Sequence, residues 1–105
     1  MRKARRADAK ADLMELAQLL ERNYTESNSF ATDISGAPVT LAYTVSPQDG
    51  TAYYNLDFVT QTATTYTIRA TPQGPQVKDT RCGNLTIDQT GTKAISGTGT
   101  VAECW

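Results

Sequence analysis

The hydrophobic positions change period once along the chain. From about Ala4 to Glu26 there is no Gly or Pro, and Leu13, Leu16, Ala17, Leu20 and Tyr24 recur at the i, i+3, i+4, i+7, i+11 spacing of an amphipathic helix. A helix over about residues 4–26 would be roughly 34 Å long, about twice the usual length in a globular domain. Its apolar stripe, Leu13, Leu16, Ala17 and Leu20, is the predicted core face. Past Gly50 the period becomes two. Tyr54, Leu56 and Phe58 form one apolar row, Tyr66, Ile68 and Ala70 a second, and Leu85 with Ile87 a third. Asn55, Asp57, Thr65, Thr67, Arg69, Thr86 and Asp88 alternate with them, which predicts a sheet buried on one face. Between helix and sheet, residues 27–51 carry turn chemistry at Gly36, Pro38, Pro47 and Asp49-Gly50, with a short alternating run Val39, Leu41, Tyr43, Val45 that predicts an embedded strand. The polar residues around Gln61 predict a hairpin turn, Thr90-Gly91 another toward Lys93–Ile95, and Ser96–Glu103 reads as loop.

Laying the Leu13, Leu16, Leu20 face over the apolar rows gives a two-layer α+β domain spanning residues 1–105: helix, connecting loop, then sheet and C-terminal region over about 52–105. A chain of 105 residues has room for one such core. With a hydrophobic share of 39% that core is small, and a staple is expected. Cys82 and Cys104 are the two cysteines, and a disulfide between them would close the third strand and the Gly97, Gly99 loop against the chain end. In the chain-entropy model such a loop is worth about 3 kcal/mol. Two unpaired buried thiols are the alternative.

Charge and chemistry narrow the functions. Histidine is absent, which removes His-dependent triads, most transition-metal sites and the commonest general base. No catalytic residue, metal site or cofactor is therefore assigned, and a catalytic thiol would lack its activating imidazole. Gly97-Thr98-Gly99 lacks the further residues of a dinucleotide or phosphate loop. The net charge of −1 gives no field that recruits nucleic acid, although Arg69, Lys78, Arg81 and Lys93 lie on or near the sheet as a possible basic patch. Arg2, Lys3, Arg5 and Arg6 crowd the first residues, the wrong end for the helix dipole. That placement suggests that the native helix continues upstream of Met1, so that the basic residues are mid-helix.

The stretch Ala4-Arg5-Arg6-Ala7-Asp8-Ala9, with Leu13, Leu16-Ala17 and Leu20-Glu21-Arg22-Asn23-Tyr24, resembles the amphipathic half of a type IV pilin's long N-terminal helix. Tyr53-Tyr54, Tyr66–Pro72, Asp79-Thr80-Arg81-Cys82-Gly83-Asn84-Leu85-Thr86-Ile87-Asp88 and the final Cys104-Trp105 are similar to minor pilins of the PilE type. The resemblance implies a pilin fold: one helix on a four-stranded antiparallel sheet, a variable loop between them and a disulfide-bounded C-terminal region. It implies a structural, non-enzymatic subunit without cofactor, contributing to pilus assembly, twitching motility or adhesion. The implied partners are other major and minor pilins, with Arg5, Arg6 and Lys10 as possible subunit contacts, the inner-membrane assembly machinery, and the membrane itself through an apolar helical half missing from this chain. The implied location is an inner-membrane anchor with a periplasmic domain before assembly and the extracellular pilus afterwards. A type II secretion pseudopilin and a DNA- or ligand-binding minor pilin are the alternative readings, and the cysteine pair favours the pilus.

Overall fold

The computed structural model describes residues 2–46 and 51–105; the turn expected at Pro47 and Asp49-Gly50 lies outside them. α1 spans Arg2–Ser27, and its 26 residues extend about 39 Å at 1.5 Å per residue, close to the 41 Å long axis of the molecule. Ala9, Leu13, Leu16 and Leu20 are all at most 3% exposed, one stripe at i, i+4, i+7 and i+11, with Ala17 half-buried beside them. α1 ends at Asn28, whose φ of 59° is left-handed, and the Asn28 amide closes onto the Tyr24 carbonyl at 2.7 Å.

The sheet is antiparallel throughout, in the order β1 (Val45–Ser46), β2 (Tyr54–Gln61), β3 (Tyr66–Pro72), β4 (Leu85–Asp88) and β5 (Lys93–Ile95). Among the described residues it has five strands where the resemblance implied four. The extra one is the two-residue β1, all that the Val39–Val45 alternation yields as strand. The earlier part of that run instead folds against the 27–38 segment, through Val39 N–H to Ala31 O at 2.9 Å and a bridge between Thr32 and Pro38. Its side chains Val39, Leu41 and Tyr43 still pack on the core.

Register explains which side chains are inside. Leu56 faces Ala70, Phe58 faces Ile68, and Ile68 and Ala70 face Ile87 and Leu85, so the three apolar rows lie edge to edge under α1. A register shift between Phe58 and Thr60 sets Thr60 opposite Thr67 and leaves Val59 51% exposed. Asp57, Arg69 and Thr86 occupy the outer face in one cross-strand row.

Two elements went unread in the sequence. Gly74–Lys78 is a 3-10 helix that begins with Pro75 in its first turn. Val101–Cys104, expected as loop, forms one helical turn, α2, because the Thr100 hydroxyl accepts from the Glu103 amide at 3.2 Å and caps it.

Candidate functional site

Chemistry-bearing side chains gather at the upstream end of α1 and at the C-terminal region beside it. The Arg6 guanidinium donates to Asp79 Oδ2 at 2.8 Å, with the two side chains only 13% and 6% exposed. Asp79 follows the 3-10 helix, whose Gln76 is fully buried and donates from Nε2 to the Tyr54 hydroxyl at 2.9 Å. Burial holds the Tyr54 hydroxyl above its ordinary pKa. One polar thread thus joins α1, β2 and the segment that leads into Cys82.

Arg5, its neighbour in the chain, has its guanidinium carbon 3.8 Å from the Tyr53 ring centre, a cation–π arrangement. Lys10 Nζ reaches the backbone oxygen of Trp105 at 3.4 Å. The three residues singled out as possible subunit contacts, Arg5, Arg6 and Lys10, therefore all touch their own domain. Arg6 is the most deeply engaged of them.

Cys82 and Cys104 are bonded, and both are at most 3% exposed. The chain between them is pressed close. A Cβ on Gly97 would sit 2.3 Å from Arg81 O, so only glycine fits where the 97–99 segment crosses the 80–82 segment. Amide bonds from Gly97 to Cys82 O at 3.0 Å and from Gly99 to Arg81 O at 2.7 Å fasten the crossing. Trp105 closes the region: its indole N–H donates to Ala94 O at 3.1 Å, and Lys93 Nζ lies 5.4 Å from its ring centre.

The four cations expected as a patch lie on different segments and have different surroundings. Arg69 makes a forked pair with Asp57 on the neighbouring strand, at 3.1 and 2.6 Å, which raises the guanidinium pKa further. Arg81 pairs with Glu103 at 2.5 Å. Lys78 is exposed on the 3-10 helix, and Lys93 stands over Trp105 on the sheet edge. The contacts of Asp79, Gln76 and Tyr53 carried no signal in the sequence: nothing local marks the Arg6 partner of Asp79, 73 positions away. The Asp57–Arg69 pair follows from hairpin register once the bulge is known. Among the described residues no group of three or more Cys, Asp or Glu could hold a metal ion, and no helix is long and apolar enough to cross a membrane.

Comparison with known proteins gives this geometry a context. The family described as "Type IV minor pilin ComP, DNA uptake sequence receptor" matches residues 1–86. A type IV pilin from Shewanella oneidensis is similar in structure over 100% of this chain and 98% of its own, with a TM-score of 0.70 and 25% identity. The non-core minor pilin PilV of Neisseria meningitidis shares the fold at a TM-score of 0.65 and 24% identity, over 92% of this chain and 88% of its own. No curated protein sequence matches the chain.

Proposed function

This chain belongs to the ComP family of type IV minor pilins and is a minor subunit of a type IV pilus, and on that premise we propose that its headpiece is clamped to the upstream end of its own helix for assembly. The observation that carries this reading is the Arg6–Asp79 pair. Breaking a buried pair by removing one partner leaves an uncompensated charge, so the first turns of α1 are held at one angle to the sheet. In a filament subunit, α1 is the element that the rest of the pilin adjoins, and its angle sets how the sheet is presented outward. The partners under this reading are other major and minor pilins and the inner-membrane assembly machinery. The location is a membrane-anchored, periplasmic domain before assembly and the extracellular pilus after it.

The test is pilus assembly in cells carrying Arg6→Ala, Asp79→Asn or the conservative Arg6→Lys. Arg6→Ala and Asp79→Asn are expected to reduce surface pili and twitching at a temperature where the purified domain is still folded, with Arg6→Lys keeping partial function. Wild-type piliation in Arg6→Ala cells would reject the reading.

A second reading is supported by the family's description as a DNA uptake sequence receptor. Lys78, Arg81 and Lys93, the last with Trp105 beside it, are exposed cations that a duplex could meet. Against it stand the net charge of −1 and the carboxylate partners of Arg69 and Arg81. Fluorescence anisotropy with labelled genomic duplexes decides: salt-sensitive binding weakened by Lys78→Ala and Lys93→Ala supports it, and no binding at low salt removes it.

A further inference from the structure

A groove of about 420 Å³ runs between α1 and the β4–β5 turn. Met14, Ala17, Tyr66 and Ile87 supply its apolar lining, and Glu21 and Asp88 stand on its rim. Met14 is 45% exposed there, one of the few large apolar side chains the fold leaves open. The rim charge is fixed in place. Asp88 Oδ1 accepts from the Thr90 amide at 2.9 Å, the Thr90 hydroxyl at 2.6 Å and the Thr92 amide at 3.1 Å. Those bonds, the Thr90 hydroxyl first, hold the Asp88 carboxyl below the usual carboxylate range. The Glu21 carboxylate faces the Tyr66 hydroxyl.

An apolar trough with two carboxylates on its rim is complementary to a segment that is small, apolar and cationic. The chain carries one such segment. Five of its ten Lys and Arg, namely Arg2, Lys3, Arg5, Arg6 and Lys10, lie in the first turns of α1 against the single acid Asp8, with Ala4, Ala7 and Ala11 exposed between them. Arg6 is paired with Asp79, whereas Arg5 over the Tyr53 ring and Lys10 at the Trp105 backbone oxygen meet no carboxylate side chain there, so their charges stay unneutralised. Groove and cationic turns lie on one helix but at different heights, since Met14 to Glu21 is one to three turns downstream. A molecule cannot fill its own groove with its own first turns.

We propose that the groove between α1 and the β4–β5 turn receives the cation-rich first turns of α1 from a second copy of this chain, with Glu21 and Asp88 taking its Lys and Arg side chains. The contact is head to tail, not two-fold, so each copy that docks offers a fresh groove to the next, the arrangement that yields open helical arrays. The proposal rests on the filament-subunit reading. Exposed ion pairs are weak and salt-screened, so isolated headpieces associate weakly and lose the association in salt.

The experiment mixes unlabelled and fully ¹⁵N-labelled protein at high concentration, applies a zero-length carbodiimide cross-linker and reads mixed-isotope peptides by mass spectrometry. Expected are links from Lys3 or Lys10 of one copy to Glu21 or Asp88 of the other, falling about tenfold in high salt and in Met14→Lys, which places a like charge in the groove. Mixed-isotope links that are absent, that come from Lys78 or Lys93 instead, or that persist in Met14→Lys overturn it. In cells, normal pili in a Met14→Lys strain beside defective pili in a deletion strain would sink the groove and leave the subunit reading standing. A chain that never enters purified pili would sink the subunit reading itself.

Discussion

The two ends of α1 are held by different physics. At the downstream end the partners are close in sequence. Asn23 Nδ2 donates to Ser29 O at 2.8 Å and Thr32 O at 3.1 Å, the Ser27 hydroxyl donates to Asn23 O at 2.8 Å, and Asn28 takes the left-handed turn. Phe30 then doubles back, stacking on Tyr24 at 4.5 Å and meeting Tyr66 edge-on at 4.9 Å. At the upstream end the partners are remote: Arg6 with Asp79, Arg5 with Tyr53 and Lys10 with Trp105. The downstream end can form with the helix itself, whereas the upstream end is secured only when the rest of the domain is in place.

That difference can be broken from either side. The largest effect is expected for Arg6→Ala, which strands Asp79 in the interior at a loss of about 3 to 5 kcal/mol. In a double-mutant cycle with Asp79→Ala the two losses should be far from additive, and additive values would show the pair to be energetically idle. Cys104→Ser comes next at about 3 kcal/mol, or roughly 10 to 20 °C in Tm. Hydrogen exchange in that variant should speed up in β5 and at Lys10, with the Tyr24–Asn28 end unchanged.

Smaller changes probe the local end. Asn23→Ala removes donations to two carbonyls and should lose about 1 kcal/mol in urea unfolding. Asn28→Ala meets the left-handed penalty of about 1 kcal/mol, whereas Asn28→Gly is expected to be neutral or slightly stabilising. The smallest effect is alkaline. Burial, reinforced by Glu21, raises the Tyr66 hydroxyl to about 12, so it stays neutral in the fold after the unfolded chain has begun to ionise near 10. Its contribution to stability is complete below pH 10 and disappears between about 10 and 12. Tyr66→Phe should shrink the pH dependence of Tm across that window.

The same division describes what could be read in advance. The helix, its core stripe Leu13, Leu16 and Leu20, and the rows Tyr54–Leu56 and Tyr66–Ile68–Ala70 were legible because burial imposes a period on the residues themselves. The fate of Arg5, Arg6 and Lys10 was not. As sequence they are a run of solvated cations, and nothing adjacent says that Arg6 alone turns inward. α2 hid in a Gly-rich stretch because its cap, Thr100, and its anchor, Cys104, define only one turn.

By itself, then, the order of residues determined the periodic parts: one long amphipathic helix, an antiparallel sheet with one wet face, and two cysteines near enough in the chain to close its last region. Periodicity repeats, so it survives without knowledge of partners. Tertiary structure alone decided that Asp79 meets Arg6, that Gly97 admits Arg81's backbone and that Trp105 sits between Lys10 and Lys93. Those are single contacts between distant positions, and they exist only after the sheet and helix have fixed where each position lies.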